Sequence, residues 1–161
     1  MKINLIFALL LSSSAAMAAK PDYAQQIQID ADKLISVKEN VLTYRSNVHI
    51  TQGSLQMKAD QLEINASAGK GKEVYIATGT PVSYSQLLAD GKPVTAQAAE
   101  MRYDPANRTL TLSGDAELAQ SGSVVRASTI IYNVEKQQLT AESDESKRVT
   151  TIFTPEDKDN Q

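Results

Sequence analysis

Few residues of this chain have the types and spacing for catalysis. His49 is the single histidine and there is no cysteine among the 161 residues. A serine or thiol nucleophile needs a base beside it, so a Ser-His pair rests on His49 alone and a Cys-His pair has no thiol. His49 sits between Val48 and Ile50. If those two point inward along a strand, His49 points to the polar face and reads as a solvated side chain. A zinc site would need carboxylate-rich ligation. Asp30, Asp32 and Asp60 have the type for a glycosidase pair or for calcium ligands. They recur, however, at one place in a repeated pattern, which favours a turn or outward-facing role. Gly69-Lys-Gly71-Lys72 lacks both the spacing of a phosphate loop and the Ser or Thr that follows its lysine. Asn65-Ala-Ser67 matches a glycosylation sequon but reads as turn chemistry. These residues argue against an enzyme and call for no metal and no cofactor.

The chain's strongest signal is apolar alternation. In Ile50 to Ile64, Leu55, Met57 and Ala59 fall at every second position, and Leu62 and Ile64 follow after a one-residue slip. Weaker copies recur. Ile27, Ile29, Ala31 and Leu34 form one; Ala96, Ala98, Met101 and Tyr103 another; Val125, Ala127, Ile130 and Tyr132 a third. Their spacing is too uneven for a strict solenoid, so the pattern reads as divergent β-hairpins stacked on one another. Turn signals separate them: Lys38-Glu39-Asn40, Gly53, Gly69 to Gly71, Asp90-Gly91 and Asp104 to Asn107, while Ser46-Asn47 and Gly79-Thr-Pro81 read as bends. Asp90-Gly91 supplies the positive φ angles of a tight hairpin. Leu110 to Leu118 alternates as a return strand, and Val149 to Ile152 closes the domain. No stretch of ten residues has helical periodicity. Short strands with frequent turns predict an all-β sandwich or roll.

The N-terminus sets the compartment. Lys2, the apolar run Ile3 to Leu11 and the small residues ending in Ala16-Met17-Ala18 have the layout of a cleaved secretory signal peptide over 1–18. The run is too short to span a bilayer. The β domain is then expected over 19–155, with a charged, frayed tail over 156–161. The formal charge is −3, becoming −4 once Lys2 is removed, which speaks against nucleic acid as partner. There is no Trp, and outside the signal Phe153 is the one Phe. Two facing layers of alternating strands bury their apolar faces on each other. That face is either an ordinary filled core or a trough for acyl chains. Small residues at Ala31, Ala59, Ala98 and Ala127, together with the scarcity of large rings, would leave such a trough.

Ile27-Gln-Ile29-Asp30, Ile50-Thr-Gln-Gly-Ser-Leu-Gln-Met-Lys-Ala-Asp60, Gly71-Lys-Glu-Val74, Asp90-Gly-Lys-Pro-Val94 and Lys147-Arg-Val-Thr-Thr151 occur in that order. Together they resemble the OstA-like family of periplasmic lipopolysaccharide-transport bridge proteins, over essentially all of the mature chain. Ser46-Asn47-Val48 stands where that family carries Gly-Asn-Val. The resemblance implies a twisted, open-ended antiparallel β-jellyroll, with the acyl chains of lipid A held in its interior. It implies head-to-tail self-assembly. It also implies an LptC-like inner-membrane anchor at the N-terminal edge and an LptD-like outer-membrane translocon at the C-terminal edge. Ile27, Ile29, Tyr84 and Tyr103 match lipid-facing positions of the family and lie on the apolar phase of their own strands. Val48, Ile50, Leu55, Met57, Met101 and Leu112 extend the expected interior. A structural or adaptor sandwich with a filled core, or a periplasmic carbohydrate-acting enzyme, is the alternative.

Overall fold

The computed structural model describes residues 20–144 and 146–154. The expected signal peptide and the expected tail lie outside the described residues. A single 3-10 turn, Asp22–Ala24, precedes ten strands. These are β1 (Ile27–Asp30), β2 (Lys33–Lys38), β3 (Val41–Gln52), β4 (Leu55–Asn65), β5 (Val74–Leu87), β6 (Pro93–Asp104), β7 (Thr109–Gln120), β8 (Ser123–Asn133), β9 (Gln138–Glu142) and β10 (Thr150–Phe153). All pair antiparallel in one sheet, each of β3 to β8 beside its sequence neighbour. Short strands cap each end: β1 and β2 both pair with β3, and β9 and β10 both pair with β8.

The central strands are longer than the frequent turn signals predict. They run 11 to 14 residues because the bends at Ser46-Asn47 and Gly79-Thr-Pro81 lie inside β3 and β5 and pairing continues past them. The register shifts once in every central pairing, at 46–47, 59–60, 79–81, 98–99, 114–115 and 128. These bulges line up into a crease. Ser46, Asn47, Gly114 and Asp115 have positive φ there, and β5 passes through a cis Thr80–Pro81 bond. A bulge supplies an unpaired residue and bends its strand. On β4 it also explains the slip in the alternation. An unbroken strand would turn Leu62 and Ile64 outward after Met57, whereas across the bulge all three are buried.

The crease folds the sheet into two leaves that face each other. The first holds β1, β10 and segments 48–52, 55–59, 82–87, 93–98, 116–120 and 123–127. The second holds β2, β9 and segments 41–45, 61–65, 74–78, 100–104, 109–113 and 129–133. One continuous apolar cluster fills the space between them. The repeated alanines belong to the crease: Ala59 pairs with Val48, Ala98 with Val82 and Ala127 with Ala116. Their small size suits the convergence of the leaves.

Opposite the crease the leaves meet along a seam of hairpin tips. The first leaf contributes Gly53-Ser54, the loop 88–92 and Ser121-Gly122. Ser121 and Gly122 both have positive φ, the geometry of a two-residue type I′ hairpin, whereas only Gly53 does in its pair. The Asp90-Gly91 hairpin is broader than the dipeptide suggests. Only Gly91 has positive φ, and the loop closes through the Leu88 amide donating to Lys92 O at 2.9 Å.

Candidate functional site

Eight of the ten expected interior residues are buried between the leaves: Val48, Ile50, Leu55, Met57, Tyr84, Met101, Tyr103 and Leu112. Ile27 and Ile29 are half-buried, packed against that core from the open N-terminal edge. Ile27, Ile50, Leu55, Met57, Tyr75 and Tyr103, with Gln52, surround a void of about 10 Å3. The interior is narrow at this void. An acyl chain could enter only if the leaves part, because ligand pockets run to several hundred Å3.

Sequence reasoning missed a polar row inside this face. Gln52 and Gln120 end β3 and β7 at the seam and Gln86 is the last residue but one of β5, each glutamine 34 residues after the one before. A buried tyrosine hydroxyl donates to each amide oxygen: Tyr103 to Gln52 at 3.5 Å, Tyr132 to Gln120 at 3.1 Å, and Tyr84 to Gln86. The first two cross from the second leaf to the first. The signal was present in the chain as a glutamine two residues beyond an inward Ile50, Tyr84 or Leu118, on the apolar phase. Burial pushes the Tyr103 hydroxyl up to about 12, with Tyr75 and Asp22 adding to it. Burial raises Tyr84 further. Both remain hydrogen-bond donors at neutral pH.

The segment around the 3-10 turn forms a strap across the seam. Asp22 accepts from the Ser54 amide at 3.0 Å, from the Ser54 hydroxyl, and from Gln86 Nε2 at 2.9 Å. Partial burial pushes this carboxyl up, but the Ser54 and Gln86 hydrogen bonds outweigh it and hold Asp22 below its usual value. Gln52 Nε2 donates to Gln25 O at 3.1 Å. Tyr23 lies under the Arg108 guanidinium, 3.9 Å from the ring centre, and Arg108 pairs with Glu135. Ser54 and Gln86 belong to the first leaf, Arg108 and Glu135 to the rim of the second. Strap and rims border a cavity of about 620 Å3.

The residues weighed for catalysis are dispersed. His49 is on the outer face, between Asp30 of β1 and Lys58 of β4. It is less solvated than its alternation suggests, with Nε2 buried and unpartnered among the described residues. Asp32 accepts from Asn47 Nδ2 at 2.7 Å and Asp60 from Thr80 Oγ1 at 3.3 Å, so both stitch the crease. Among the described residues no three His, Cys, Asp or Glu side chains converge as a metal site would require.

Large apolar side chains are exposed at both ends of the sheet. Leu34 and Val37 lie on β2, and Val149, Ile152 and Phe153 on or beside β10, with Phe153 74% exposed. β1 and β2 at one end, and β9 and β10 at the other, each have one edge without a strand beside it among the described residues.

A family model described as "LptA/(LptD N-terminal domain) LPS transport protein" matches residues 28–138. The chain is 42% identical over 157 residues to the lipopolysaccharide export system protein LptA of Haemophilus influenzae, covering 96% of this chain and 91% of that one. It is 36% identical to LptA of Escherichia coli K12, covering 99% and 90%. It is 30% identical to the export system protein LptH of Pseudomonas aeruginosa, covering 92% and 87%. The crystal structure of LptH, the LptA-homologous periplasmic component, superposes with a TM-score of 0.76 at 23% identity, covering 83% of this chain and 99% of that one. That likeness speaks to the fold.

Proposed function

The chain belongs to the family of LptA and the LptD N-terminal domain, the lipopolysaccharide-transport proteins, and from that membership we propose that it is a periplasmic carrier and bridge for lipopolysaccharide. It is a transport component and no enzyme. The observation that supports the reading best is one apolar face, kept in phase through every bulge and reaching the open edge at Ile27 and Ile29. Acyl chains lie along that face, and Ile27, Ile29, Tyr84 and Tyr103 line the path. Burial of a methylene stabilises by about 0.8 kcal/mol, so one acyl chain of a dozen carbons contributes about 10 kcal/mol. A closed pocket would hold several such chains almost permanently. A continuous face lets the lipid slide with little change at each step, and an outside energy source sets the direction.

The exposed backbone of the end strands, with the apolar side chains beside it, supports head-to-tail strand pairing. A heterologous contact of this kind propagates into a chain of copies. On this reading the N-terminal edge meets an LptC-like anchor and the C-terminal edge an LptD-like translocon. Cleavage after Ala18 delivers the protein to the periplasm.

The narrowness of the interior favours a second reading, an adaptor whose core stays filled. A photocrosslinker at Ile29 or Tyr103 separates the two. Lipopolysaccharide adducts at these positions are expected, and their absence would overturn the carrier reading. Ile27→Asp is expected to block transport while the monomer stays folded. An unfolded Ile27→Asp chain would instead mark Ile27 as ordinary core.

A further inference from the structure

The strap occupies a polar site at the seam. Its 3-10 turn buries no residue and takes no place in the sheet. It presents two acceptors, the Asp22 carboxylate and the Gln25 carbonyl, to donors supplied by the roll. Those donors are the Ser54 amide and hydroxyl, Gln86 Nε2 and Gln52 Nε2. Gln52 is 4% exposed, so its amide must find an acceptor in place or lose a hydrogen bond in the interior. Arg108 stands on the opposite rim, spread over the Tyr23 ring.

We propose that this seam is a headgroup site, in which Ser54, Gln86, Gln52 and Arg108 receive the phosphate and acyl-carbonyl oxygens of a phosphorylated acyl-sugar, and that the strap fills the site as an internal substitute until the lipid displaces it. The proposal rests on the carrier reading and adds where the polar end of the lipid sits and what must leave first. A carboxylate and a carbonyl offer the same kind of oxygens as a phosphate and an acyl linkage, so the exchange leaves no donor stranded. The strap also grips both leaves, Asp22 on Ser54 and Gln86, and Tyr23 on Arg108. Its departure removes that grip and leaves the Tyr103–Gln52 and Tyr132–Gln120 bonds as the cross-seam links that acyl chains must part. The row of Gln52, Gln86 and Gln120 continues the polar lip along the direction of travel.

The absence of cysteine allows a clean staple. The Asp22 and Ser54 side chains already touch, so Asp22→Cys with Ser54→Cys places two thiols for a disulfide across the strap. The probes are a fluorescent hexa-acylated glucosamine disaccharide bisphosphate and its dephosphorylated form. The oxidised double variant should take up the phosphorylated lipid at least about tenfold more slowly than the same protein reduced. Asp22→Ala should load faster than the unmodified chain. The unmodified chain should prefer the phosphorylated lipid by roughly tenfold, the scale of one hydrogen bond to a charged group, and Arg108→Ala should erode that preference. Equal loading of oxidised and reduced protein, or indifference to phosphate, overturns the proposal and leaves the carrier reading intact. No uptake of either lipid by any form, Asp22→Ala included, overturns the carrier reading and the proposal with it. Backbone amide exchange at Ser54 reports the strap separately: faster exchange is expected in Asp22→Ala, and unchanged exchange counts against the strap as a clasp.

Discussion

Gly114 of β7 lies against Ala99 of β6 across the crease, so close that a Cβ on the glycine would stand 2.9 Å from the alanine Cβ. Its φ is +81°, a backbone region that costs an L side chain about 1 kcal/mol or more. Gly114→Ala is therefore strained twice, by conformation and by contact. It should lower unfolding stability by roughly 1–3 kcal/mol, measured from urea unfolding with an unchanged m-value. A neutral effect would mean that the crease yields easily.

Met101 is fully buried, flanked by Ala77 and Leu112 in the ladder. Met101→Ala should cost about 2–5 kcal/mol, the loss of a large core side chain. Ile27 sits half-buried at the open edge, so Ile27→Ala should cost about 1 kcal/mol or less, since little area is lost. Chemical denaturation of the two variants side by side checks the contrast. Equal losses would mean that the edge is as tightly packed as the centre.

Asp22 has a lower pKa in the folded chain than its ordinary value of 3.8. The folded form then binds fewer protons than the unfolded, so the contribution of the strap is fully present above that ordinary value. It is lost as pH falls through the lower, folded value. A nuclear magnetic resonance titration from pH 5 downward should show the Ser54 amide moving with an apparent pKa below 3.8, while resonances of Leu62 stay fixed. Asp22→Asn should remove that titration.

The C-terminal edge carries Ile152 and Phe153 exposed on a four-residue strand. On the head-to-tail pairing proposed above, Ile152→Asp with Phe153→Lys should weaken self-association by about tenfold or more while leaving thermal stability nearly unchanged, since surface substitutions cost little. Sedimentation velocity across a concentration series measures it. Oligomers of undiminished size would place the contact elsewhere.

Much of the fold could be read from the residues. Strict alternation is a local property, and it marked strands on either side of every turn it identified. The slip between Ala59 and Leu62 coincides with the crease, since a strand that keeps one face apolar across an odd step must carry a bulge, but a single slip does not show that neighbouring strands carry the same irregularity. The same pattern misled about strand length. Ser46-Asn47 and Gly79-Thr-Pro81 read locally as bends, and both lie inside continuous strands, β3 and β5. Neighbouring strands carry matching irregularities, so pairing continues past them.

The sequence by itself determined the all-β class, the inward phase of Val48, Ile50, Met57, Met101 and Tyr103, and the poverty of catalytic groups, since each follows from residue type and nearest neighbours. The tertiary structure decided what meets across the interior. Tyr103 and Gln52 are 51 residues apart, and Gln86 lies 64 residues from Asp22, so no local periodicity links them. They come together because the crease brings one half of every long strand over the other half, and because the strap then crosses the seam. The apolar track was written in the order of the residues, and its polar lip exists only where the folded leaves close on each other.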